Sequence, residues 1–318
     1  MEYQPEIAEP LQDIKGARRA ASLCAFATVA EIAIAYALLI AASYLMTGVS
    51  LGERTRNNLN LILNTVAVNL IAMPVCWLLL LRRIPKAAAP ETGSRTRLSF
   101  SKLLFYFPCA YALMYAGALA GKLIDTLMSG GLADVAHNAI TAVDPWVTLL
   151  CVVIVSPIAE ELFFRKAMID RLSDYHPFDA ILLSALLFAL IHGNIAQFLY
   201  ALPIGILFGI IYYRTQNIGY SILLHIALNA FGGLIPQLLT GPAEGEPAPG
   251  LLLADAAFGL FILAMCVTGI VLLIVRRKRF LPIPSDHPRY RKPFFLTAGF
   301  IVACVISVAL FVLTEIVI

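Results

Sequence analysis

The sequence predicts an all-α protein, a polytopic membrane helical bundle with about nine transmembrane helices. The 318 residues are 60% hydrophobic and only 14% charged, whereas a soluble domain carries roughly 25% charge. The mean hydropathy is +0.84. The apolar runs are about 20 residues long and do not alternate with polar residues, which indicates membrane-spanning helices rather than the strands of a barrel.

Nine apolar segments account for the predicted spans in chain order. They are 22–47, 59–81, 103–121, 146–172, 179–193, 196–213, 218–237, 252–275 and 295–315. The fifth segment is short, and Gly193-Asn194 predicts a turn or kink at its end. Pro157 leaves two possibilities open for the fourth segment, which is either one long helix or a helix broken at the proline.

The basic residues predict the orientation of the chain. With the N-terminus in the cytoplasm, 20 of the 23 Lys and Arg fall on the cytoplasmic side. They lie in 1–21, 82–102, the 165–178 turn, Arg214 and 276–293. This bias follows the positive-inside rule. We therefore expect an integral, multi-pass protein of a prokaryotic plasma membrane, with its N-terminus in the cytoplasm and its C-terminus outside.

The same pattern divides the chain into four parts. Residues 1–21 are a cytoplasmic N-terminus, and 22–121 hold three spans with the cytoplasmic linker 82–102. Residues 146–237 form a core of four spans, and 252–318 add two more. The basic loops are expected to lie against anionic headgroups, so the lipid bilayer is a partner and nucleic acid is not. The six cysteines form no Cys-x-x-Cys, so neither a disulfide framework nor a thiolate metal site is predicted.

Two adjacent glutamates in the fourth span are the first candidate site. A carboxylate in a span costs at least ~2.5–3.5 kcal/mol on insertion scales, and such residues usually mark functional sites. Glu161 and Arg165 are four residues apart, which predicts an ion pair. Glu160 points about 100° away from Glu161 and is expected to project into a polar cavity. The alternative is that the whole run is a buried ion-pair staple between helices.

Two later clusters add polar groups at the same spacing. His192 follows Phe188 by four residues, and Asn229 follows His225 by four, so each pair shares one helix face. Counted along the helices, Glu160, His192 and His225 all lie ~11 Å below the cytoplasmic surface. The common depth predicts one site. Taken separately, His192 could be a packing residue, and the second pair could be a hydrogen-bond clamp between helices.

The three motifs, in this order, resemble those of a known family. Glu160-Glu161-x-x-x-Arg165, Phe188-x-x-x-His192 and His225-x-x-x-Asn229 look like the motifs of the CPBP intramembrane proteases. This is the CAAX-protease and bacteriocin-processing family, also called Abi, and its members include type II CAAX prenyl endopeptidases. The resemblance covers roughly residues 146–237, so it implies that these four helices are the catalytic core.

The resemblance also implies a role for each matched residue. The catalytic residues are Glu160, Glu161, His192, His225 and Asn229, and the supporting residues are Arg165 and Phe188. Glu160 would be the general base that activates a water molecule held by His192. Neutral His225 and Asn229 would stabilise the oxyanion of the tetrahedral intermediate. Glu161 and Arg165 would orient their neighbours.

The cofactor stays open between two mechanisms. Two histidines and a glutamate could hold zinc with one position left for water, and the candidate ligands are Glu160, His192 and His225. The residues do not form His-Glu-x-x-His on one helix, so a zinc site requires three segments to meet. The alternative mechanism depends on the glutamate alone.

The leading interpretation is an intramembrane endopeptidase that cuts membrane-associated or C-terminal peptide substrates from the cytoplasmic side. Its expected partner is a membrane protein or peptide substrate. A second interpretation is a non-catalytic immunity or scaffold protein with the same fold. A third is a transporter or proton relay, which the missing repeat symmetry disfavours. The sequence carries no Gly-x-Ser-x-Gly signature of a serine nucleophile, and no pattern in it specifies a prenyl group or an oligomeric state.

Overall fold

The structure is a computed structural model that describes residues 8–86, 99–127, 139–239, 249–279 and 294–317. Every regular element in these ranges is helical, which confirms the predicted all-α polytopic bundle. The main helices of the described residues are α1 (Ala8–Leu45), α2 (Glu53–Arg83), α3 (Phe100–Leu127), α4 (Pro145–Leu172), α5 (Pro177–Leu190), α6 (Ile195–Thr215), α7 (Ile218–Leu239), α8 (Pro249–Val275) and α9 (Ala298–Val317).

Seven of these helices are long and apolar enough to cross a membrane, while α5 and α9 are shorter apolar helices. Helix α5 has 14 residues, or roughly 21 Å, less than the ~30 Å core of a bilayer. The helix begins at Pro177 and ends at Leu190, three residues before the end of the predicted span 179–193. The chain turns at Gly193, whose φ is +68°, and the Asn194 side chain then caps α6 by accepting from the Gln197 amide.

Helix α4 continues through Pro157 without a break. The proline sits near the start of the α-helical stretch Ser156–Glu160, between two π-helical stretches, Thr148–Val155 and Glu161–Ile169. A π turn is one residue wider than an α turn and is found frequently at functional sites. The helix therefore reaches the first polar motif as one element with an altered hydrogen-bond register.

Glycines allow the helices around the core to approach closely. A Cβ on Gly269 of α8 would lie 2.0 Å from the Pro108 carbonyl oxygen of α3. A Cβ on Gly117 of α3 would lie 2.5 Å from the Tyr200 Cα of α6. Small residues at such contacts are typical of membrane helix packing, where close backbone approach replaces hydrophobic driving force. Gly117 and Gly269 therefore let α3 pack closely against α6 on one side and α8 on another.

Polar contacts tie the basic ends of several helices together. Arg171, near the end of α4, donates from Nε to the Leu81 carbonyl near the end of α2 at 2.7 Å. Arg18 of α1 donates to the Leu296 carbonyl just before α9 at 3.4 Å. These contacts join the end of α2 to the end of α4, and the start of α1 to the segment before α9. Residues 87–98 of the predicted linker lie outside the described residues.

A separate clamp joins α2 to α4 at the opposite ends of these helices. Arg54 Nε and Asn58 Nδ2 each donate to the Asp144 carboxylate at 2.6 Å. These hydrogen bonds hold the pKa of the Asp144 carboxyl below its usual value. Arg54 is one of the three basic residues that the sequence does not place on the cytoplasmic side. In the structure it forms an ion pair with Asp144.

Candidate active site

The three sequence motifs meet in one cavity of about 620 Å³. Helices α4, α5, α6 and α7 form most of its wall, and α2 and α3 add side chains. Glu160, Phe188, His192, His225 and Asn229 all line it. The structure thus brings together the residues that the sequence placed at a common depth.

The His225 ring joins the two glutamates of α4. Its Nδ1 lies 3.0 Å from Glu161 Oε1, and its Nε2 lies 3.7 Å from Glu160 Oε2. The two ring nitrogens point in different directions, so one imidazole can reach two adjacent residues whose side chains diverge on the helix. Helix α7 is therefore fixed to α4 at the first motif.

Behind the ring, Glu161 pairs with Arg165 as the spacing predicts. Arg165 Nη1 lies 3.3 Å from Glu161 Oε1, and both side chains are fully buried. The guanidinium also stacks 4.1 Å above the Phe188 ring, a favourable cation–π arrangement. Glu161 was placed among the catalytic residues, but it lies behind His225 and does not line the cavity. Its contacts are those of a positioning residue.

The hydrogen bonds at Nδ1 determine the tautomers of both histidines. His192 Nδ1 lies 2.8 Å from the Phe188 carbonyl, which can only accept, so this nitrogen carries the proton. His225 Nδ1 donates to the Glu161 carboxylate in the same way. In the neutral rings, both Nε2 atoms are therefore acceptors. With this tautomer, His225 Nε2 can donate to an oxyanion only when the ring is an imidazolium.

Phe188 holds both imidazoles in place. The centre of its ring lies 5.0 Å from the His192 ring and 5.9 Å from the His225 ring, and both contacts are nearly perpendicular. Edge-to-face contacts of this kind are favourable. Together with the stacked Arg165, these contacts make Phe188 the common neighbour of the three polar motifs.

Asn229 has a partner that the sequence did not predict. Ser156 N–H donates to the Cys151 carbonyl in the wider π register. The next donor in that register is Pro157, which has no N–H, so the Val152 carbonyl lacks a backbone partner. Asn229 Nδ2 donates to this carbonyl at 2.8 Å. The amide keeps a second N–H, which is free to serve as the expected oxyanion donor.

Other residues of the site were not predicted from the sequence. The Phe208 ring of α6 packs on His225, with 5.5 Å between the ring centres. Glu31 of α1 is 2% exposed and close enough to Glu160 for their charges to interact. Only Pro157 gave a sequence signal, because a proline inside a helix always leaves a carbonyl without its donor.

The residues proposed for zinc do not fit a metal site. Zinc requires ligand atoms at about 2.0–2.2 Å from one point. Among the described residues, no group of three His, Cys, Asp or Glu side chains could hold a metal ion. His225 Nε2 instead faces the Glu160 carboxylate. No chemical step is therefore assigned to a metal.

The chain is similar to one protein family model and to two bacterial proteins. Residues 142–231 match the family model described as "Type II CAAX prenyl endopeptidase Rce1-like". The chain is 29% identical over 167 residues to "Putative membrane peptidase YdiL" of Bacillus subtilis, which covers 52% of this chain and 68% of that protein. It is 33% identical over 100 residues to "UPF0177 protein YbdJ" of Lactococcus lactis subsp. lactis, covering 30% of this chain and 42% of the relative.

No solved structure matches the chain at a significant level. The family match spans the segment that holds all three motifs, from Glu160 to Asn229. It confirms the resemblance that these motifs indicate. Over residues 142–231, the chain is therefore similar to the family described as type II CAAX prenyl endopeptidase Rce1-like.

Proposed function

We propose that the protein is an intramembrane endopeptidase that hydrolyses peptide bonds of membrane-associated or C-terminal substrates. The observation that carries the proposal is the pairing of Glu160 with His225 Nε2 at 3.7 Å, inside a cavity that His192 and Asn229 also line. The family match over residues 142–231 supports peptidase chemistry at this place in the chain.

Glu160 and His192 together suit the activation of water. A water molecule between them donates one hydrogen to the Glu160 carboxylate and the other to His192 Nε2, which the tautomer leaves as an acceptor. Glu160 takes its proton as the water oxygen attacks the scissile carbonyl carbon. The same carboxyl then gives that proton to the leaving amine as the C–N bond breaks.

Asn229 and His225 suit the oxyanion that forms in the first step. Asn229 offers its second N–H, because the first is used by the Val152 carbonyl. His225 donates from Nε2 when its ring is an imidazolium, because its Nδ1 proton already bonds the Glu161 carboxylate. Arg165 balances the charge of Glu161. Fixed donors in a site with little water are effective toward a developing charge.

Product analysis tests the proposal directly. The purified protein is incubated with a membrane-peptide library, and the products are identified by mass spectrometry. Glu160→Gln removes the base and keeps the shape, so we expect cleavage by the wild type and none by this variant. Glu53→Gln is the matched control. Glu53 is exposed at the start of α2, so this variant should cleave the same peptides as the wild type. Equal cleavage by Glu160→Gln would refute the role of Glu160.

A chelator tests the choice between the two mechanisms. We expect turnover to continue in a strong chelator, because Glu160 and His192 supply the contacts that activate water and the described residues are not arranged as a metal site. The measurement is the rate of peptide cleavage before and after chelation. Loss of turnover that added zinc restores would replace the glutamate-only mechanism with a metal-dependent one.

The same contacts favour one alternative, a non-catalytic immunity or scaffold protein. The His225 ring and the Asn229 amide both join α7 to α4, which is also what a structural staple does. A folded wild-type protein that cleaves no peptide in the library would favour this alternative.

A further inference from the structure

We propose that the protein binds one anionic phospholipid in a second cavity, beside the active site. The cavity is a groove of about 530 Å³ between α2 and α4, here called the α2–α4 groove. Its apolar walls are formed by Leu70, Met73, Trp77, Ile158, Leu162 and Phe163. Neither the proposed catalytic steps nor the family motifs use it.

The walls of the α2–α4 groove suit an acyl chain. Leu70 and Trp77 of α2 are 56% and 40% exposed, and Leu162 of α4 is 43% exposed. They lie on two helices that are long and apolar enough to cross a membrane. Large apolar side chains open to the surroundings at membrane depth are in contact with lipid tails, and a groove between two helices offers one tail contacts on several sides.

The basic end of the α2–α4 groove suits a phosphate group. Lys86 is exposed there, and Lys166 has a side chain that is 46% exposed. Asp170 lies 3.7 Å from the Lys166 amino group and accepts from the Tyr212 hydroxyl. Arg171 is buried and donates to two backbone carbonyls. This end carries three cations against one carboxylate, so its charge favours an anionic headgroup over a zwitterionic one.

The spacing of apolar and basic residues matches the length of a lipid. Ile158 and Lys166 lie two turns apart on α4, roughly 12 Å. The apolar wall therefore extends below the cations by most of the depth of one leaflet, which is half of the ~30 Å core. A headgroup held at Lys86 and Lys166 places its chain along the wall without a bend.

A hydrogen bond joins a residue of the α2–α4 groove to a residue of the active-site cavity. Asn69 lines the groove and donates from Nδ2 to Ser156 Oγ at 3.0 Å. Ser156 lines the active-site cavity. The lipid would therefore lie against the face of α4 that turns away from Glu160, and it would form part of the wall of the bundle rather than enter the active site.

Tryptophan fluorescence offers a direct test, because Trp77 lies in the α2–α4 groove. The chain has two tryptophans, so Trp146→Phe leaves Trp77 as the only emitter. This single-tryptophan protein is reconstituted into vesicles that contain increasing fractions of brominated phosphatidylglycerol or brominated phosphatidylcholine. We expect the quenching of Trp77 to show a roughly five-fold higher affinity for phosphatidylglycerol than for phosphatidylcholine, since a lysine near the surface favours an anionic lipid.

The lysines are then removed from the same single-tryptophan protein. Lys86→Gln with Lys166→Gln should bring the two lipids to equal affinity, whereas Lys102→Gln, an exposed lysine at the start of α3, should leave the preference unchanged. If the double variant does not fold by circular dichroism, Lys86→Gln alone should give an intermediate preference. Equal affinities in the parent protein, a preference that survives loss of both lysines, or no quenching of Trp77 would each overturn the proposal.

Discussion

Glu161 and Arg165 form a charged pair that water does not reach. Both side chains are fully buried, and Glu161 also accepts from His225 Nδ1. Separating a buried pair by removing one partner is costly because the other charge stays behind without compensation. Glu160 has no such partner at its back, and its side chain is 15% exposed in the cavity. The two adjacent glutamates should therefore respond differently to the same substitution.

We expect Glu161→Gln to destabilise the protein and Glu160→Gln to leave its stability nearly unchanged. The first variant leaves Arg165 as an unpaired buried cation, which costs about 3–5 kcal/mol. Thermal unfolding of the purified variants measures the difference, and the Glu160→Gln protein serves as the control for the loss of one carboxylate. Similar unfolding temperatures for both variants would contradict the separate roles of the two residues.

Substitution of Phe188 should affect catalysis through the two imidazoles. Phe188→Leu removes the ring that packs against His192 and His225. A displacement of the catalytic groups by about 1 Å costs on the order of 10²-fold in rate, so we expect kcat to fall by that order. Phe163→Leu is the matched control, because Phe163 is equally buried and its ring pairs with Phe164. Equal rates for the two variants would show that Phe188 does not position the histidines.

Only contacts within one helix could be predicted at the residue scale. The four-residue spacing of Glu161 and Arg165 predicts their ion pair, and the structure confirms it. The contact of Glu161 with His225 joins residues 64 positions apart, and nothing in either motif indicates which glutamate the ring meets. The Asn229 bond to Val152 depends on a π register that hydrophobic periodicity does not encode.

The π-helical stretches of α4 lie next to the two glutamates of the proposed active site. Its two π stretches flank Ser156–Glu160, so the wider turns adjoin the glutamates on both sides. The first one leaves the Val152 carbonyl for Asn229, and the second one begins at Glu161. Pro157 is therefore not a break in the helix. It is the reason that α4 has a free acceptor facing α7.

At the scale of helix packing, Gly269 offers a sharp test of the contact between α3 and α8. Gly269→Ala would place a methyl group against the Pro108 carbonyl, so the helices must separate, at a cost of about 1–3 kcal/mol. Gly259→Ala on the same helix meets nothing within 4 Å and should be neutral. Unfolding temperatures of both variants measure the effect. A fully stable Gly269→Ala protein would mean that α3 and α8 are further apart.

The existence of the helices could be predicted better than their ends. The long apolar runs indicate the helices because each buries its own backbone polar groups in lipid. Helix α1 begins at Ala8, inside the polar stretch that was expected to precede the first span, because polar residues can continue a helix into water. Helix α5 ends at Leu190, three residues before the predicted end, and the chain then turns at Gly193, whose carbonyl accepts from Thr314 of α9.

For the whole molecule, the prediction concerns which side of the bundle faces the cytoplasm. We expect a cysteine at Lys278 to react with a membrane-impermeant maleimide only from the cytoplasm, and a cysteine at Ser50 only from outside. The reason is that 20 of the 23 Lys and Arg fall on one predicted side. The wild-type protein, with its native cysteines, is the control. Labelling of both positions from the same side would contradict the predicted topology.

The shortness of α5 has a consequence for the place of the polar site in the bundle. Most of the 14 residues of α5 are buried, so neighbouring helices rather than lipid surround it. A helix of roughly 21 Å does not carry the chain across the ~30 Å core of a bilayer. The turn that carries His192 therefore lies inside the bundle, where a helix of full length would have continued to the far surface.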